Sequence, residues 1–194
     1  MEKYHTIKSS HDGSKVKYGI ENNNLFYLKG PLTKAQIANY KKAEDLKIGV
    51  PISGVNTKGE IKMEAGIPVQ KAINEGKITA QTAEYQLNNI QEVLYQQKLA
   101  HCDIKEDNIR YFPRLKEIRL IDNGELTPYG PFNIRPVHTP FLNTTLGGHG
   151  EIGVGPYTDA KGFGMTKQNL YDPNQLSFLS KSKTPFYGAN NLFR

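Results

Sequence analysis

His101-Cys102-Asp103-Ile104-Lys105-Glu106-Asp107-Asn108, followed after a short run by Leu120-Ile121-Asp122-Asn123-Gly124, is the stretch on which the reading of this chain turns. Written as H-x-D-x-K-x-x-N and D-x-G, it places two carboxylates, an ammonium and a carboxamide at fixed spacing on two loops. All four suit a magnesium-bound polyphosphate. Asp103 would orient an attacking hydroxyl or accept its proton, while Asn108 and Asp122 offer the hard oxygen ligands that Mg2+ takes beside substrate phosphates. Lys105 would put positive charge where a transferred phosphoryl group gathers negative charge. Asn108 and Asp122 lie fourteen positions apart, room for two short strands, Ile109 to Phe112 and Ile118 to Ile121, around a turn at Pro113-Arg114. Such a hairpin brings both oxygen ligands to one end of a small sheet. Any one Asp or Asn in a loop is ordinarily a turn former; the ordered set carries the chemistry.

That set resembles the catalytic loop and the magnesium-binding loop of protein kinases, H-R-D-x-x-x-x-N and D-F-G, and Asp103 and Asn108 keep the five-position offset of that pattern. The resemblance implies an α+β, two-lobed protein kinase-like fold in reduced form. A five-stranded N-lobe with one helix, ending in a hinge, would occupy residues 1–66, and a truncated, mainly helical C-lobe residues 67–194. It further implies ATP and Mg2+ as cofactors, Asp103 and Lys105 as catalytic residues, and Asn108 and Asp122 as metal ligands. Two departures bear on regulation. Cys102 stands where most such kinases carry an Arg that pairs with a phosphorylated activation loop, which implies independence from loop phosphorylation. Asn123 replaces the Phe of D-F-G, so the apolar plug of regulated kinases is missing.

Working back from the motif, residues 4–30 read as three short strands separated by turns at His11-Asp12-Gly13-Ser14 and Glu21-Asn22-Asn23-Asn24. The resemblance makes the first turn, with Ser10, Gly13 and Ser14, the cover over the ATP phosphates, although only Gly13 remains of the G-x-G-x-x-G pattern. It makes Lys29, at the end of an apolar strand, the lysine that holds the α- and β-phosphates. Thr33-Lys34-Ala35-Gln36 is a capping-box signature opening a helix that runs through Leu46 and stops at Gly49. Glu44 is the only Glu in it and the expected ion-pair partner of Lys29. Val50 to Val55 and Gly59 to Met63 read as two further strands, and Met63-Glu64-Ala65-Gly66 as gatekeeper and hinge, with backbone groups of Glu64 to Gly66 facing adenine.

Thr79 to Leu99 is the best helix in the sequence, with Ala83, Leu87, Ile90 and Leu94 at helical spacing, and it leads directly into His101. Residues 125–156 are rich in Pro, Gly, Thr and Asn and read as an activation-like segment holding Thr139, Thr144 and Thr145. A-P-E is absent, with Glu151 a weak stand-in. Tyr157 to Gly164 resembles the D-x-W-S-x-G start of the kinase helix that braces the catalytic loop. Asp159, five positions before Gly164, is expected to accept backbone N–H bonds from that loop, with His101 as a further structural support; the alternative role for its carboxylate is to cap the helix, and the two are compatible. The aromatic tail, Phe186, Tyr187 and Phe193, is expected to pack on the core.

The 194 residues carry 25 Lys and Arg against 19 Asp and Glu, a net charge of +6 spread without a basic block, so nucleic acid is not an expected partner. Hydrophobic residues make up 37%, enough for a core. The single cysteine, Cys102, excludes an intramolecular disulfide. No apolar run begins the chain and none reaches about 20 residues, which predicts a cytosolic protein, in a host cytosol if it is delivered without a cleavable signal. The small size and missing A-P-E resemble compact kinase effectors that pathogenic bacteria inject into host cells. One such family modifies the ninety-kilodalton heat-shock chaperone. The implied activity is Ser/Thr protein phosphorylation, favoured by D-x-K-x-x-N, with a protein substrate that includes host proteins such as a chaperone. The rival readings are a pseudokinase binding module, a small-molecule phosphotransferase resembling aminoglycoside kinases, and a nucleotidyltransferase of the same fold.

Overall fold

Short runs of β-favouring residues between turns build the first layer. The computed structural model describes residues 5–9, 15–21, 24–134, 153–155 and 158–171. In it β1 (His5–Ser9), β2 (Lys15–Glu21) and β3 (Asn24–Gly30) form an antiparallel meander. β4 (Ile52–Val55) and β5 (Ile61–Glu64) complete a five-stranded sheet in the order β1-β2-β3-β5-β4. β3 thereby becomes the central strand, with Lys29 opposite Ile61 and Tyr27 opposite Met63.

Between β3 and β4 lies α1 (Lys34–Asp45). Its capping box is complete: Gln36 N donates to Thr33 Oγ1 at 3.2 Å, and Thr33 N donates to Gln36 Oε1 at 3.0 Å. The helix ends before Gly49. Asp45 is its last residue, and Lys47, at φ 56°, makes the left-handed turn that ends it two residues before the glycine. The chain then ties the two layers together. Leu120 N donates to Ile48 O at 2.7 Å, and Val50 N donates to Leu120 O at 2.9 Å. Tyr40 of α1, Val50, Ile61, Met63 and Phe112 close one apolar cluster between the sheet and the second layer.

The second layer is organised on α3 (Ala80–Gln96), capped by Thr79, whose Oγ1 accepts from Thr82 N. Ala83, Leu87, Ile90 and Leu94 are its buried stripe. They pack in the larger core with Ile104, Ile109, Ile118, Leu120 and Phe163. β6 (Ile67–Pro68) and α2 (Val69–Asn74), two elements not foreseen from the sequence, lead into α3 and bury Val69 and Ala72 in the same core. After β7 (Leu99–Ala100) comes the motif loop, then the hairpin β8 (Ile109–Phe112) and β9 (Glu117–Leu120), turned at Pro113 to Lys116. β10 (Thr127–Pro128) pairs with β7, β11 (Gly130–Ile134) pairs with β12 (Gly153–Val154), and α4 (Ala160–Asn169) closes the described chain. Ser10, Gly13, Ser14, Thr139, Thr144, Thr145, Glu151 and the aromatic tail lie outside the described residues. Among the described residues, no helix is long and apolar enough to cross a membrane.

Candidate active site

Hairpin pairing decides where the two oxygen ligands fall. Ile109 pairs with Leu120, so Asn108 and Asp122 leave the same end of the β8–β9 hairpin, and Ile121 N donates to Asn108 O at 2.8 Å. Asn108 is buried, and its carboxamide nitrogen donates to Asp103 O at 2.9 Å and to Asp103 Oδ2 at 2.7 Å. Lys105 Nζ also donates to Asp103 Oδ2, at 2.6 Å. One oxygen of Asp103 is thus held twice. The other, Oδ1, is buried and makes no hydrogen bond among the described residues. An unsatisfied buried acceptor is costly unless a donor arrives, and an acceptor hydroxyl is a donor of that kind.

Asp122 sits above this group at φ 62°, a left-handed conformation few non-glycine residues adopt. Lys29 Nζ and the Tyr40 hydroxyl both bond its Oδ1, the latter at 3.3 Å, which leaves Oδ2 as an open hard oxygen. Partial burial works to raise the Asp122 carboxyl, but the bonded Lys29 ammonium, helped by His101 and Lys105, holds it below the ordinary carboxylate range. His101 is fully buried, and its Nε2 donates to Ile121 O at 3.2 Å, supporting the loop from below. Asn123 is buried too and donates to Leu120 O at 3.1 Å, a polar anchor where an apolar plug was expected to be missing.

Lys29 and Glu44, expected to pair, do not. Glu44 Oε1 accepts from Ile52 N at 2.8 Å, at the start of β4, and Lys29 meets Asp122 instead. The reason lies in helix geometry. Glu44 is about one helical turn, roughly 5.4 Å, beyond Tyr40 on the same face, so Tyr40 reaches Asp122 while Glu44 meets the start of β4. The expected hinge is also partly engaged: Ala65 N donates to Leu25 O at 3.0 Å and Glu64 N to Pro51 O at 3.4 Å. Gly66 lies directly against β8, where a Cβ would stand 2.6 Å from Arg110 Cβ. Two side chains unforeseen in the sequence face each other electrostatically here. Burial raises the Tyr27 phenol and lowers the Arg110 guanidinium, and each charge opposes the other's shift. Tyr27 lies two residues before Lys29, hence on the same face of β3, a signal readable in the sequence.

Beneath the loop, Asp159 occupies the first position before α4 without capping it. Both its oxygens go to the loop: His101 N donates to Oδ2 at 2.6 Å and Cys102 N to Oδ1 at 2.9 Å. Those bonds hold Cys102, buried and at φ 66°, in its left-handed turn. Burial pushes the Asp159 carboxyl up, against the two N–H bonds and His101. The glycine that admits α4 to the loop is Gly162, where a Cβ would lie 2.4 Å from Ile104 O; at Gly164, the motif position, nothing lies within 4 Å.

Asn108 and Asp122 are too few ligands for an all-protein cage, and no cluster of three His, Cys, Asp or Glu able to hold a metal occurs among the described residues. Two oxygens beside a lysine fit Mg2+ that takes its remaining ligands from phosphates and water. No family model matches the chain, and neither does any curated protein. Among solved structures it is similar to a kinase, PK-1 of Cydia pomonella granulovirus, with a TM-score of 0.56 and 12% identity over 90% of this chain and 74% of that one. The chain has a reduced, kinase-like α+β fold.

Proposed function

From the kinase-like fold as premise, we propose that this chain is a single minimal kinase domain, divided at the hinge near residue 66, that transfers a phosphoryl group from ATP to protein Ser or Thr. The observation that carries the reading is the Asp103 carboxylate. One oxygen is fixed by Lys105 and Asn108 and the other has no hydrogen-bond donor among the described residues, beside the Lys29 and Asp122 pair. Catalysis in this class is mainly positioning and electrostatics.

In this reading Asp103 Oδ1, uncovered as the acceptor binds, takes the hydrogen bond of the substrate hydroxyl and aligns it for attack. Lys105, within reach of Asp103, supplies positive charge to the transferred group. Asn108, oriented by its two bonds to Asp103, and Asp122 would hold Mg2+, which when bound would neutralise and align the phosphates. Lys29 leaves Asp122 for the α- and β-phosphates. Asp159 and His101 keep the loop rigid. A host protein, a chaperone among them, is a substrate to test. Mass spectrometry of an acceptor protein after incubation with Mg·ATP tests the reading: phosphate on Ser or Thr supports it. An attached AMP would assign nucleotidyl transfer instead, and labelling of small aminoglycoside acceptors alone would assign the small-molecule alternative.

A further inference from the structure

Tyr40 is fully buried, and a buried phenol needs a partner for its hydroxyl. One partner is Asp122 Oδ1, at 3.3 Å, while Lys29 Nζ stands 5.8 Å from the ring centroid. The ring also lies against the end of the loop, where a Cβ on Gly124 would be 3.6 Å from Tyr40 Cε2. One residue earlier, Asn39 Nδ2 donates to Gly124 O at 2.8 Å. Helix α1 therefore holds both ends of Asp122-Asn123-Gly124 with two consecutive side chains. We propose that Tyr40, in place of a helix carboxylate, is the positioning residue that sets the Asp122 carboxylate for Mg2+. This rests on the reading of the cleft as a Mg–nucleotide site.

Asp122 needs such a guide. Its side chain is 47% exposed, so packing alone leaves its rotamer loosely fixed. A hydroxyl also differs from a carboxylate in its effect on Lys29. It orients Asp122 without adding a negative charge that would compete with phosphates for the ammonium.

The test is Tyr40→Phe in the full chain, which keeps the ring and removes one oxygen. Binding of the non-hydrolysable analogue AMP-PNP is followed by calorimetry across a Mg2+ series. Loss of an outer partner of a metal ligand predicts a rise of about tenfold or more in the Mg2+ concentration for half-maximal binding. Affinity measured without Mg2+ should not change. Asn39→Ala loosens the same loop through Gly124 without touching the carboxylate, and should move the Mg2+ requirement much less. A Tyr40→Phe protein with the wild-type Mg2+ requirement, or an equal shift from Asn39→Ala, overturns the positioning role while leaving the site reading intact. A wild-type chain that binds no Mg·AMP-PNP overturns both.

Discussion

Substituting Gly162 by Ala should separate the helix that braces the motif loop from the loop itself. The new Cβ would stand 2.4 Å from Ile104 O, 2.8 Å from Ile104 Cβ and 3.0 Å from Ile104 Cγ2. Carbon contacts are comfortable at about 3.5–4.0 Å, so helix and loop must part by roughly 1 Å. Overpacking of this kind costs about 1–3 kcal/mol, offset by about 1 kcal/mol from the better helix propensity of Ala. Gly164→Ala, two residues on in the same helix, is the internal control. Its Cβ meets nothing within 4 Å, leaving only the propensity gain. Because that gain is common to both variants, their difference isolates the clash, expected at about 1–3 kcal/mol. Urea unfolding of both variants, with unchanged m values, measures it. Turnover should follow, because Ile104 lies between Asp103 and Lys105. Equal midpoints for the two variants would refute the packing argument.

The remaining expectations concern the electrostatics of the cleft. The Lys29 ammonium holds the Asp122 carboxyl below its ordinary range, so the contribution of this pair to stability is present above about pH 4 and is lost as pH falls through the depressed value. Asp122 is half-exposed, which limits that contribution to about 1 kcal/mol. The stability difference between wild type and Asp122→Asn should accordingly shrink towards zero in acid, and a difference as large at pH 3 as at pH 7 would contradict the pairing. Glu44→Ala removes the acceptor of Ile52 N and should cost about 1–2 kcal/mol in urea unfolding. It should not change the affinity for Mg·AMP-PNP, whereas a loss matching that of Lys29→Ala would place Glu44 back at the phosphates.

Much of the scaffold was legible because local rules sufficed. The spacing of Ala83, Leu87, Ile90 and Leu94 defines the buried stripe of α3, and Thr33 with Gln36 defines the start of α1. The hairpin between Asn108 and Asp122 follows from two β-favouring runs and a turn. What failed depended on how elements meet. Six residues of α2 are too short for a periodic signal, and Pro68 before them reads as a break. The Lys29 partner required knowing which turn of α1 faces the cleft. Tyr40 and Glu44 share that face, and only the docking of the helix, through Ala43 and Ile48 packed in the larger core, selects the first. Likewise, Gly162 and Gly164 are indistinguishable as letters, and only the approach of Ile104 singles one out. For Asp159, the alternative of capping α4 gives way because both oxygens are drawn to His101 N and Cys102 N.

The most direct test of the phosphotransferase account is transfer of labelled γ-phosphate from ATP to a protein acceptor, compared between wild type and Asp103→Ala with Mg2+ present and absent. The account predicts Mg2+-dependent label on the acceptor with wild type and a fall of about 10²-fold or more with Asp103→Ala. Transfer that persists undiminished in Asp103→Ala, or no transfer by wild type to any acceptor, would contradict it.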